Sequence, residues 1–309
     1  MNQSKFSLAD VLTVLAALAF GFVCFLSANF FTLGNTQQSI IMSIIIAVLL
    51  GGLALVAKLL KRTSRSFKTC FICEMIMLVL FAGFAVVFAI APFSHYFAIS
   101  DRKTEIQSKL TASITQAENM FTEYEKYAGT REGLYKKRLQ SVVAAKQVNP
   151  SEYAAYGFES NGVSDEKQIE NKMFTVHADL FPSNFTAMKR VDSIWLVKSR
   201  NIVKNWKPIG IVGVVNDVEQ NTNEWLEQLI KLSSVRETEE QSEDFSYALS
   251  FDDLKEDFET LGDPTPLSLG LAVSAYAIML LSYFVTKRHS KFPGIRILFS
   301  AGMTVDNEL

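Results

Sequence analysis

Three residues that could carry chemistry lie together in one apolar stretch. Cys70 and Cys73 form a C-x-x-C pair, and Glu74 follows directly. The pair could be half of a zinc site, a redox pair or an acylation site. A structural zinc site needs four ligands, and the sequence offers no second pair. Cysteine is also a common small apolar residue in helices, so we favour that interpretation and predict no metal and no cofactor.

Glu74 is the only acidic residue inside a predicted membrane helix, which raises the hypothesis of a proton relay or an ion-driven channel subunit. It lies about one helical turn from a basic segment, where it could reach the interface or pair with Lys68. A proton-driven motor would place its carboxylate nearer the middle of the membrane. We therefore rank this hypothesis below a structural role.

The three histidines, His95, His177 and His289, lie far apart in the sequence. No Ser-His-Asp order, H-E-x-x-H or other catalytic pattern accompanies them. We predict no catalytic residues and no enzymatic activity.

The elements around these residues are apolar helices. Of the 309 residues, 49% are apolar, and the 47 residues from 11 to 57 contain no charged side chain. A bilayer span needs about 20 apolar residues. We predict a mainly α protein with four transmembrane helices, at about 11–31, 39–60, 70–97 and 267–286. Residues 1–98 would form the N-terminal membrane region, and 287–309 a cytoplasmic tail.

Basic residues set the predicted orientation, because lysine and arginine favour the cytoplasmic side. They cluster after the second span and after the fourth, whereas the turn near Asn35 has none. Both termini would then be cytoplasmic, and residues 99–266 would form an outer, extracytoplasmic domain inserted between spans three and four. The topology-setting residues are Lys58, Lys61, Arg62, Arg65, Lys68, Lys287, Arg288 and Lys291.

Charge is divided unevenly along the chain. Residues 99–266 carry 20 basic and 28 acidic side chains, a net of −8, and the remainder carries 10 and 4, a net of +6. The overall net charge of −2 excludes a nucleic-acid binder, which would have a basic excess.

Small residues recur at intervals of four in every predicted span, which lets membrane helices approach closely. We predict packing into a bundle and into a homo-oligomer through these positions. They are Ala17, Gly21, Ser43, Ala47, Gly51, Ala85, Ala89, Gly270 and Ser274.

The inserted domain reads as mostly helical, with room for one small sheet. Apolar residues at intervals of three or four predict a helix from Asp101, with a break at Gly129. Further helices are predicted after Asn149-Pro150, over 165–180 and from Thr222. The β-branched run at 209–215 suits a buried strand, and 193–203 is ambiguous between helix and strand.

Aromatic residues supply the candidate partner-binding positions, although filling a core is the commoner role of such residues. They are Trp195, Trp206, Trp225, Phe251 and Phe258. The last two lie in the acidic segment 236–263, which holds 11 acidic and 2 basic residues. Two interpretations of that segment are equally favoured. It could form a helix that docks on a partner or on its own domain, or it could be a solvated connector.

The layout of three spans, a basic loop, an outer domain, a fourth span and a short tail resembles the TssN component of the Bacteroidota-type type VI secretion system. The stretch MFTEYEKYAGTRE at 120–132 is similar to that family's membrane-proximal helix. The resemblance implies a non-enzymatic inner-membrane subunit of a trans-envelope complex that anchors a contractile apparatus. It implies other envelope subunits, the lipid bilayer and a cytoplasmic baseplate as partners.

A second hypothesis is a membrane sensor whose outer domain binds a ligand and signals through a partner protein. The chain itself shows no cytoplasmic output domain. A kinase gene next to this one would favour the sensor, whereas sheath and tube genes would favour the secretion anchor.

Overall fold

The computed structural model describes residues 7–63, 67–160, 162–234 and 244–288. Of the described residues, 83% are helical and none is in a strand, which confirms the mainly α prediction. The helices are α1 Leu8–Phe31, α2 Thr36–Arg62, α3 Phe67–Phe84, α4 Ile90–Asp101, α5 Lys103–Ala144, α6 Pro150–Ala155, α7 Asp165–Leu180, α8 Phe185–Lys204, α9 Pro208–Ser233, α10 Asp252–Glu259, α11 Pro266–Met279 and α12 Leu281–Val285.

The chain divides into two compact units. The bundle unit comprises residues 1–104 and 256–309, and the insert unit comprises residues 105–255. Three helical stretches of the bundle unit are long and apolar enough to cross a bilayer: Leu8–Phe31, Thr36–Arg62 and Lys68–Asp101. These helices support the multi-pass membrane character that the sequence predicts.

The predicted fourth span is divided in two. α11 has 14 residues, a rise of about 21 Å, which is less than the roughly 30 Å of a bilayer core. The five-residue α12 follows after Leu280 and packs against α1 and α2. A single continuous helix over 267–286 is therefore not observed.

The third predicted span, 70–97, lies within the apolar helical stretch Lys68–Asp101, which contains one local irregularity. A π-helical turn, Ala85–Ala89, separates α3 from α4, and the Ile90 amide donates to the Ala85 carbonyl. Pro92 gives the physical reason, because proline has no amide hydrogen and its ring crowds the carbonyl four residues earlier. A π turn absorbs this mismatch without breaking the helix.

Packing of the bundle unit centres on α1, which contacts α2, α4, α11 and α12. Phe20 of α1 stacks on Phe93 of α4 at 4.3 Å between ring centroids. Leu50, Ala54 and Met279 are fully buried in the same core.

Two local predictions for the insert unit are wrong. Residues 209–215 are not a strand, because they form the first two turns of α9. Pro208 starts that helix at a position that needs no amide donor. Thr222 consequently lies within α9 instead of starting a helix. There is no break at Gly129 either, since α5 runs through it, and the ambiguous stretch 193–203 is part of α8.

Other local predictions agree with the structure. α7 begins at Asp165 and ends at Leu180, just before Pro182. The Asn149 side chain caps α6, and Pro150 is its first residue. The insert core is aromatic: Phe121, Tyr124, Phe185 and Phe245 are buried together, and the Tyr124 hydroxyl donates to the Leu180 carbonyl at 2.9 Å. Burial raises the pKa of Tyr124.

Candidate functional site

A pair of buried charges joins the first two helices of the bundle unit. Asp10 lies in the first turn of α1, where its carboxylate also accepts the Ser7 amide at 2.9 Å. Lys58, near the end of α2, donates to the other carboxylate oxygen. Both side chains are less than 10% exposed. The sequence predicted only a topology-setting role for Lys58, and Asp10 was missed because the partners are 48 residues apart.

A second charged group surrounds Glu74, which is completely buried in α3. Its Oε1 atom accepts hydrogen bonds from the Tyr283 hydroxyl at 2.6 Å and from Arg288 at 2.7 Å. Lys61 donates to the Tyr283 carbonyl at 2.8 Å and lies 4.3 Å above the Tyr283 ring. Glu74 therefore pairs with Arg288 and Tyr283, not with Lys68, which is exposed.

Both ion pairs lie near the ends of helices of the bundle unit. Asp10 lies in the first turn of α1, Lys58 and Lys61 lie in the last turns of α2, Glu74 lies near the start of α3, and Arg288 follows α12. We call these residues, with Tyr283, the ionic cluster. Ion pairs join α1 to α2 and α3 to Arg288, and the Lys61 hydrogen bond to the Tyr283 carbonyl joins α2 to α12. Arg65, Lys291, His289 and the tail from residue 289 lie outside the described residues, as does 236–243 of the acidic segment.

The cysteines of the bundle unit are free. Cys70 and Cys73 are partly exposed, and Cys24 is buried. Within the described part of the chain, no three His, Cys, Asp or Glu side chains are grouped so that they could hold a metal ion.

The predicted small residues of α1 and α2 meet in one seam. A Cβ added at Gly21 would lie 2.8 Å from the Ala47 Cβ and 3.2 Å from the Ser43 carbonyl oxygen. A Cβ added at Gly51 would lie 3.1 Å from the Ala17 Cβ. The two backbones are thus as close as these side chains allow.

The remaining small residues divide into two groups. Ala85 and Ala89 are buried within the π turn. Gly270 and Ser274 lie on the exposed side of α11, where the Ser274 hydroxyl donates to the Gly270 carbonyl at 2.7 Å. The buried side of α11 is formed by Ser268, Ala272 and Met279 instead.

The aromatic candidates are not brought together as one surface. Trp195 and Trp225 meet edge to face at 5.9 Å in the insert unit, and Trp206 follows the end of α8. Phe251 is buried, and so is Phe258, which stacks on Phe30 at 5.7 Å in the bundle unit. The His95 Nε2 atom lies 2.9 Å from the Phe258 carbonyl oxygen. A partner could reach these phenylalanines only if α10 left its place.

Asp192 of α8 is a buried acid that sequence reasoning missed. It is 3% exposed, and its Oδ1 atom has no hydrogen-bond partner within the described part of the chain. Burial and the neighbouring Glu118 carboxylate raise the pKa of Asp192 to about 7. Glu118 itself is paired with Arg200 at 2.7 Å. The available signal was spacing, because Asp192 lies on the same helical face as Leu196, Ser199 and Val203.

The opposite side of α8 is apolar and exposed. Val191 is 59% exposed, Ile194 is 66% exposed and Val197 is 49% exposed. Intervals of three place these three residues on one side of the helix, flanked by exposed Arg190 and Lys198. We call this surface the α8 face. Contiguous exposed apolar residues with a polar rim are typical of interaction sites.

Comparisons of the chain with protein-family models, with curated proteins and with solved structures gave no match. The resemblance to the secretion component stays a prediction, and the functional proposal rests on the geometry described above.

Proposed function

We propose that this protein is a non-enzymatic structural subunit of a trans-envelope secretion complex of the type VI class. In this proposal it lies in a bacterial inner membrane, anchors the machine and docks periplasmic partners through the insert unit. The observation that carries the proposal is the α8 face, an exposed apolar surface on a helical unit linked to membrane helices.

The bundle unit has the properties of a rigid anchor. The Gly21–Ala47 and Gly51–Ala17 contacts hold α1 and α2 together, and the ionic cluster links α1, α2, α3 and the residues after α12. Separating the helices would leave each buried charge without its partner. The free-energy cost of that loss resists separation. An anchor that transmits force needs such resistance.

The finer topology belongs to the same proposal. Residues 266–285, α11 followed by α12, would make the fourth crossing, with both termini cytoplasmic and the insert unit periplasmic. Lys61, Arg62 and Lys68 would then lie on the cytoplasmic side with the ionic cluster. A homo-oligomer could form through the exposed Gly270 and Ser274 side of α11.

Purification of the tagged full-length chain from its native host in mild detergent tests the proposal. We expect envelope subunits and contractile-machine components to co-purify in fixed ratio. The double variant Val191→Ser and Ile194→Ser should lose these partners and still insert in the membrane. Val148→Ser is the matched control, since Val148 is 90% exposed and lies outside the α8 face. Partners retained by the double variant would contradict the role of the α8 face.

The sensor hypothesis has an observation of its own. A groove of about 780 Å³ in the insert unit is lined by Glu123, Tyr127, Phe245 and Tyr247, among others. The Tyr127 hydroxyl is buried with no hydrogen-bond partner within the described part of the chain. Purification of the chain alone or with a kinase would favour this function.

A further inference from the structure

We propose that the corner between α8 and α9, residues 204–209, is a membrane-interface anchor that contacts the headgroup layer of an anionic bilayer. This inference is independent of the proposed secretion role. The corner combines exposed Lys204 and Lys207, a half-buried Trp206 and Ile209, which is 59% exposed. Tryptophan and lysine are the residues that membrane proteins place at the lipid–water interface.

The backbone of the corner is held in an uncommon conformation. Trp206 has a φ of 43°, in the left-handed region that bulky residues rarely occupy. Its amide donates to the Val203 carbonyl at 3.1 Å, and Pro208 starts α9 two residues later. Such backbone strain persists where the surroundings fix it, and it is found at functional positions.

The corner is tied to the start of α5. The Gln107 side-chain amide donates to the Val203 carbonyl at 2.7 Å and to the Lys204 carbonyl at 3.3 Å. Gln107 follows the end of the third candidate span, Asp101, by only six residues. Six residues reach about 20 Å at most. The chain connection therefore limits how far Gln107, which is hydrogen-bonded to the corner, can lie from the end of that span.

Charge identifies the surface that the corner would contact. Residues 99–266 carry a net charge of −8, yet the corner carries two lysines and no acid. Anionic headgroups attract such clusters within a short distance of the surface, and the Trp206 ring and Ile209 can enter the boundary between headgroups and acyl chains. The occupant that fits is an anionic lipid surface.

Tryptophan quenching tests the anchor, because the chain has only three tryptophans. The full-length protein is reconstituted in phosphatidylcholine vesicles, with or without phosphatidylglycerol, that contain lipids brominated at shallow acyl positions. We expect quenching in the anionic vesicles. Most of it should vanish in Trp206→Phe and remain in the matched variants Trp195→Phe and Trp225→Phe. Equal quenching in all three variants, or none in the unchanged protein, would overturn the anchor.

A second pair of variants tests the charge. Lys204→Glu with Lys207→Glu should lower the quenching in anionic vesicles. Lys136→Glu with Lys137→Glu should not, since these exposed lysines lie 29 and 30 residues beyond Gln107 along α5. Equal quenching with and without phosphatidylglycerol, and in the lysine variants and the unchanged protein, would overturn the role of charge. Protection of Trp206 from acrylamide in native membranes without quenching by lipid would assign the corner to a protein partner.

Discussion

The bundle unit and the insert unit differ in how they bury carboxylates. In the bundle unit, Asp10 pairs with Lys58, and Glu74 pairs with Arg288 and Tyr283. In the insert unit, Asp192 is buried beside another carboxylate, Glu118, instead of beside a cation, although one oxygen of Asp192 and one of Glu74 alike have no hydrogen-bond partner within the described residues. An apolar bundle without water must neutralise charge by pairing, whereas Asp192 can take up a proton instead. Ion pairs therefore stabilise the bundle unit, whereas the stability of the insert unit should depend on pH through Asp192.

The largest effect is expected from removing one partner of an ion pair in the bundle unit. Asp10→Ala should lower the free energy of unfolding by about 3–5 kcal/mol, because Lys58 would remain buried without a partner. The measurement is thermal unfolding of the full-length chain in detergent. Asp10→Ala combined with Lys58→Met should recover most of the loss, since no lone charge remains. A double variant as unstable as the single one would contradict the ion-pair explanation.

The pH dependence of stability tests the statement about Asp192 in the insert unit. The pKa of this carboxyl rises from 3.8 to about 7 on folding, so the native state holds the proton more tightly than the unfolded chain. This group therefore makes the protein less stable as pH rises from about 4 to 7, by up to about 4 kcal/mol. The melting temperature of the unchanged protein, relative to that of Asp192→Asn, should therefore fall as pH rises over that range.

An exposed aspartate of the same unit gives the control for this pH experiment. Asp217 lies on the exposed side of α9, so Asp217→Asn should keep the pH dependence of the unchanged protein. If the melting-temperature difference between the unchanged protein and Asp192→Asn stays flat from pH 4 to 7, the assignment to Asp192 is refuted.

Packing of the helix seam gives a smaller effect. Gly21→Ala should cost about 1–3 kcal/mol, because its Cβ would collide with Ala47 and the Ser43 carbonyl. Gly52→Ala on α2 is the matched control, since nothing lies within 4 Å of its added Cβ. The two melting temperatures should move in opposite directions. Equal shifts would show that the seam does not constrain the bundle unit.

The smallest expected effect concerns α5 of the insert unit. Gly129→Ala should raise stability by about 0.5–1 kcal/mol, since α5 is continuous there and alanine is the better helix former. An added Cβ at Gly129 meets no atom within 4 Å. A loss of stability, measured in the same unfolding experiment, would indicate that the helix does break at this glycine.

The sequence by itself determined the helical class and three helices long and apolar enough to span a membrane, because long apolar runs leave few alternatives. A cap and a proline also fixed one local end, the start of α6 at Asn149 and Pro150. Short-range patterns gave the wrong secondary structure where packing between helices determined it. The β-branched run at 209–215 is helical because its apolar side, which includes Ile211 and Val215, forms the buried face of α9.

Only the tertiary structure decided the partners of the charged groups. Asp10 meets Lys58 across 48 positions, and Glu74 meets Arg288 across 214. It also decided that Asp192 faces inward and Ile194 outward on the same helix. The physical reason is common to all three: periodicity tells which residues share a face, but the neighbour of that face is chosen by how distant helices pack.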